Sequence, residues 1–114
     1  MKMKIYVAGK MRGLPDFGHR AFRDAADKFR SEGHEVFNPV EECERIYGDN
    51  VYKNNPEGDE SRAGIDPRVV FGNDMAFICD HADIVALLPG WETSKGAIAE
   101  KAVADALGLK VMFL

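Results

Sequence analysis

ADIVALLPGWETSKGAIAEKAVADALGLKVMFL, residues 82–114, is the stretch on which the fold turns. Ile84 to Leu88 is an unbroken apolar run halted by Pro89-Gly90, which predicts a strand covered on both faces, as in a parallel sheet. Val111 to Leu114 repeats the pattern, so a second buried strand follows. Between them Thr93 or Ser94 is placed to cap a helix that runs to Leu107 and ends at Gly108, a residue free to turn left-handed. Ala99, Ala102, Val103 and Ala106 form a small-residue face expected to lie close on the sheet, and Glu100 stands near the start of that helix. Ligands of such sheets bind beyond the carboxyl ends of the strands, which is where Glu100 is expected. A solvated glutamate favoured by the N-terminal half of the helix dipole is the other reading.

Toward the N-terminus, Lys4 to Ala8 (KIYVA) is the first strand. The loop Gly9-Lys10-Met11-Arg12-Gly13 after it either brings backbone amides and two cations to a ligand or leaves Lys10 and Arg12 as exposed charge. Phe17 to Ser31 carries Phe22, Ala25, Ala26 and Phe29 at helical spacing, with Asp16 as a cap and Gly33 past the end. Glu35 to Asn38 is a short strand that Pro39 terminates. Residues 40–66 scatter Gly48, Pro56, Gly58 and Gly64 among charges without a sustained period and read as an irregular insertion. Within it, Tyr47 and Tyr52 offer a face to a nucleobase or are incidental surface tyrosines. Pro67 opens a helix ending near His81, with Val70, Phe71, Met75 and Ile78 on one face. Asp74 lies on the same helix among apolar neighbours, where a carboxylate is expensive unless paired or used. This order predicts one α/β domain over residues 1–114. It is a three-layer, flavodoxin-like or Rossmann-like fold with a four- to five-stranded parallel sheet in the order 2-1-3-4.

Composition narrows the function classes. At 114 residues and 46% apolar the chain suffices for one core. Fifteen basic residues scattered among 19 acidic ones, net −4, leave no basic stripe for a nucleic acid polymer, while a small anionic ligand held by local cations remains compatible. No stretch is long and apolar enough to span a bilayer, and Met1-Lys2-Met3-Lys4 leads directly into a strand, so a cytoplasmic protein without a membrane partner is expected. Cys43 and Cys79, with His19, His34 and His81, show no metal-ligand spacing; no metal or cofactor is expected.

Taken in order, IYVAGKMRG (5–13), GNDMAFI (72–78) and SKGAIAE (94–100) resemble the nucleoside 2-deoxyribosyltransferase superfamily. Its nearest branch is the 2′-deoxynucleoside 5′-monophosphate N-hydrolases, and the chain is also similar to short phage and prophage proteins of that superfamily. The resemblance implies that Glu100, through S-x-G-x-x-x-E, is a nucleophile and that Asp74 orients or protonates the leaving base. It implies that Tyr6 lies beside the sugar, unless it is an ordinary sheet residue. Gly9, Arg12 and Ser94 would hold a 5′-phosphate, with Lys10, Gly13 and Gly96 in the same binding loops. The implied ligand is a small nucleotide or nucleoside. The implied assembly is a homodimer or higher homo-oligomer, with the helix bearing Phe71 and Phe77 as the contact.

Two other functions are compatible with these residues. PG-x-x-T-x-x-G-x-x-x-E (89–100) is similar to the loop of cytokinin-activating phosphoribohydrolases, which grips a ribonucleotide. A nucleotide-binding or sequestering protein without turnover would keep the same pocket.

Overall fold

The computed structural model describes residues 1–49, 51 and 55–114. Four strands, β1 (Lys4–Ala8), β2 (Glu35–Phe37), β3 (Ile84–Leu87) and β4 (Lys110–Phe113), form one parallel sheet in the order β2-β1-β3-β4. The expected 2-1-3-4 order holds. Its basis is visible residue by residue, since alternate side chains of the two central strands feed opposite faces. Ile5, Val7, Ile84 and Ala86 join Phe22, Ala26, Phe29 and Val40 on one side; Tyr6, Ala8, Val85 and Leu87 join Ile78, Ala97 and Ala104 on the other. The first side is covered by α1 (His19–Ser31) and α2 (Pro39–Tyr47), the second by α4 (Pro67–Asp80) and α5 (Lys95–Leu107). A single turn, α3 (Glu60–Ala63), precedes α4. No helix among the described residues is long and apolar enough to cross a membrane.

Several local expectations are corrected. Residues 40–66 are not irregular throughout: Pro39 opens α2 instead of merely ending β2, because the Asn38 side chain accepts from Val40 N at 2.9 Å and proline at the first helical position needs no amide partner. Asp16 does not cap the first long helix, which starts at His19 after a 3-10 turn over Pro15–Gly18. Instead Asp16 and Phe17 hold left-handed backbone, φ 48° and 58°. In α5 the inward face is Ala97, Glu100 and Ala104, while Ala102 and Ala106 are exposed. The apolar pattern misplaced that face because its centre is a carboxylate. In α4, by contrast, Val70, Phe71, Met75 and Ile78 are buried or partly buried on the inward side as expected, Val70 packing against the first cluster and Met75 and Ile78 against the second. Phe77 stacks on Phe37 at 4.7 Å and lies 6.5 Å from Tyr6, and Phe71 and Phe77 are each partly exposed.

Candidate functional site

Tyr6 lies mid-sheet, between Phe37 of β2 and Val85 of β3 in register, and is 1% exposed. The pleat that sends Ile5 and Val7 to one face sends Tyr6 to the other, toward α4 and α5. There its hydroxyl donates to Glu100 Oε2 at 2.5 Å. Asp74, 8% exposed, completes the group, and its Oδ1 is buried with no partner among the described residues. The Asn38 amide nitrogen at the end of β2 shares that condition. Both helices are held by start signals. Asp66 accepts from Arg68 N at 2.9 Å ahead of Pro67, and Ser94 Oγ accepts from Ala97 N at 3.2 Å.

Burial dominates the electrostatics. Desolvation pushes Asp74 up to about 7 and Glu100 up to about 8, against the Tyr6 hydroxyl, which favours the ionised forms. Negative neighbours add to the rise, Glu42 for Asp74 and Asp74 for Glu100. Tyr6 is itself driven well above the usual phenol range by burial and by the two carboxyls, so it remains a donor at any working pH. Burial raises both acids, and the Asp74 charge raises Glu100 further, so the two titrate as a pair.

The triad forms the floor of a cleft of about 820 Å³ at the carboxyl ends of β1 and β3, where the chain has turned to β2 on one side and later to β3 on the other. Gly9 through Gly13 and Thr93 through Ala97, the two loops leaving those strands, line it. A Cβ on Gly9 would stand 2.9 Å from Leu88 Cδ1 and 3.0 Å from Leu88 Cβ, so the first loop passes tightly against the residue after β3. All of Tyr6, Asp74, Glu100, Gly9, Lys10, Arg12, Gly13, Ser94 and Gly96 therefore meet in one cleft. Arg12 is paired with Glu60, a partner the sequence did not suggest. Tyr47 is absent from the lining and accepts from Asp66 N at 2.9 Å; Tyr52 lies outside the described residues.

Sequence reasoning passed over Arg68, Lys95, Glu60, Phe71, Pro39 and Cys43, which also line the cleft. A signal for part of this existed: Pro67, Val70, Phe71 and Asp74, at spacings of 0, 3, 4 and 7, are one helical stripe, and all four face the cleft. Lys10, Arg12, Arg68 and Lys95 gather four cations on the lining of a chain whose net charge is −4, a field that suits an anion.

The profile of the family described as a domain of unknown function (DUF4406) matches residues 3–113, so the chain belongs to that family. No curated protein and no solved structure matches it.

Proposed function

We propose that this DUF4406 domain cleaves the N-glycosidic bond of a 2′-deoxynucleoside 5′-monophosphate, by hydrolysis or by transfer to a second base, with Glu100 as nucleophile. The observation that carries the reading is the Tyr6 hydroxyl held at 2.5 Å from a buried glutamate beside a second buried acid, under a cation-lined rim. Two carboxyls in low dielectric are the minimal equipment for an oxocarbenium-like transition state. Glu100 attacks the anomeric carbon as the bond to the base nitrogen breaks, and that bond's electron pair leaves with the base, which takes a proton from Asp74. Water then attacks the same carbon, gives its proton back to Asp74 and releases Glu100.

Proton placement follows from the ligand. In the empty cleft burial favours the neutral form of Glu100. Positive charge developing on the sugar stabilises its anion, and the Tyr6 donor does the same. Asp74, whose Oδ1 has no partner among the described residues, is then the group left with a proton to give. Arg12, with Lys10 and the start of α5 at Ser94, supplies charge-assisted bonds and unpaired amides for the phosphate.

The test is incubation with paired deoxy- and ribonucleotides and the matching nucleosides, followed by chromatography for free base. Base release from deoxynucleotides supports the reading; release from ribonucleotides alone replaces it with a phosphoribohydrolase. One feature favours a second reading, a nucleotide-binding protein without turnover: burial pushes Glu100 up to about 8, which favours its neutral, non-nucleophilic form at neutral pH. Stoichiometric binding with no base released across pH 6–9 would establish that alternative.

A further inference from the structure

The Arg12–Glu60 ion pair sits on the cleft lining and joins residues 48 positions apart, each held by its own loop. Arg12 is 68% exposed, and an ordinary surface pair of that kind contributes little. Glu60 is different, because its position is fixed by a framework. Gly13 N donates to Gly58 O at 3.0 Å, and Asp16 N donates to Asn55 O at 2.9 Å. Asn55, 2% exposed, holds Asp59 through Nδ2 to the Asp59 carbonyl at 2.8 Å and through Oδ1 from the Asp59 amide at 3.0 Å. Asp59 in turn caps the turn that begins at Glu60. The left-handed backbone of Asp16 and Phe17 is sustained where these bonds land, as strained backbone is when its surroundings fix it.

We propose that Glu60 is a specificity-determining gate: its carboxylate occupies the Arg12 guanidinium in the free protein and must be displaced by the phosphate of an incoming ligand. This rests on the reading of Arg12 as the phosphate contact. A carboxylate already in place competes with any anion, so a small free anion gains too little to enter. A phosphate monoester whose organic part also fills the cleft brings a dianion and further contacts together, and displaces Glu60. Glu60 thereby rejects inorganic phosphate and admits phosphate attached to a ligand of the right shape.

The experiment compares wild type with Glu60→Gln, Glu60→Ala, Arg12→Ala and the double variant Arg12→Ala/Glu60→Gln. It measures binding of inorganic phosphate and of a deoxynucleoside monophosphate by titration calorimetry, with base release measured separately and thermal melting as the check on folding. Both Glu60 variants are expected to bind inorganic phosphate about tenfold more tightly than wild type, and to lower KM for the nucleotide. The double variant is expected to match Arg12→Ala, because the gate acts only through the arginine. Unchanged phosphate affinity in both folded Glu60 variants overturns the gate, and so does the same gain without Arg12. If base release fails while the Arg12-dependent gain appears, the gate stands and the catalytic reading falls. If base is released and the gain is absent, the reverse holds.

Discussion

Tyr6, Asp74 and Glu100 set the behaviour of the site at the scale of single residues. Both acids keep in the folded state protons that the unfolded chain releases near pH 4, since burial raises them to about 7 and about 8. Between those limits the native state binds more protons than the unfolded one, so their contribution to stability falls as pH rises from about 4 and levels off above about 8. Glu100→Gln and Asp74→Asn are therefore expected to melt higher than wild type at pH 8, by roughly 1–3 kcal/mol, and to lose that advantage near pH 4. Melting curves at the two pH values check this; equal stability at pH 8 would remove the buried-acid assignment. Glu100→Gln should also reduce turnover by several orders of magnitude while ligand still binds. The proposed reaction uses the one-proton state of the pair, so its rate should peak between about 7 and about 8. Tyr6→Phe deletes the 2.5 Å donor to Glu100 and should move the rising limb to higher pH; an unmoved limb would leave Tyr6 a packing residue. Arg12→Ala should lower kcat/KM about ten- to a hundredfold for nucleotides and far less for nucleosides; an equal loss on both would count against phosphate recognition.

At the scale of elements, the cleft depends on how the segment before α4 is fastened to the loop after β1. Gly58 is the closest point of that junction: φ is +59°, and a Cβ would stand 2.3 Å from Leu14 O and 2.7 Å from Gly13 N. No side-chain rotation relieves a clash with backbone, so Gly58→Ala is expected to destabilise the domain by roughly 2 kcal/mol or more. Hydrogen exchange should show the loss of protection concentrated at Gly13 and Asp16, whose amides donate across the junction. Uniform loss over the sheet would instead mark Gly58 as a global folding determinant. This junction was not legible in the chain, because Asn55, Gly58 and Asp59 look like any polar loop until their partners at residues 13–16 are known. Helix α2 was legible: Asn38-Pro39 is a start signal, and reading Pro39 only as a strand terminator concealed it.

The molecule as a whole is a small domain with one continuous sheet and an open cleft, so a ligand that fills the cleft should raise its melting temperature. At a hundred times the dissociation constant the gain is about 2.7 kcal/mol, or on the order of 10 °C for a chain of this size. A panel of nucleotides and nucleosides in a thermal-shift assay ranks candidate ligands without requiring turnover, and no shift with any phosphorylated member would speak against an anion site. Assembly is open to the same solution approach. Val69 on α4, Ile98 and Leu107 on α5, and Phe113 and Leu114 at the end of β4 are exposed apolar side chains. A homodimer that buries some of these side chains is our expectation, and a strictly monomeric mass by light scattering at high concentration would exclude it.

The sequence alone determined the strand order, the helix starts at Pro67 and after Ser94, and the motifs that carry Glu100, Asp74 and Tyr6. These follow from short-range rules: apolar runs mark buried strands, caps and glycines mark helix ends, and alternating strands and helices permit few topologies. Tertiary structure alone decided that the Tyr6 hydroxyl reaches Glu100 across 94 positions, that Glu60 meets Arg12, and that the inward face of α5 centres on a carboxylate. Such contacts depend on how strands and helices are stacked in three dimensions. A buried charge breaks the apolar periodicity that would have revealed its face, so the residues most perturbed by folding are also those the linear pattern hides best.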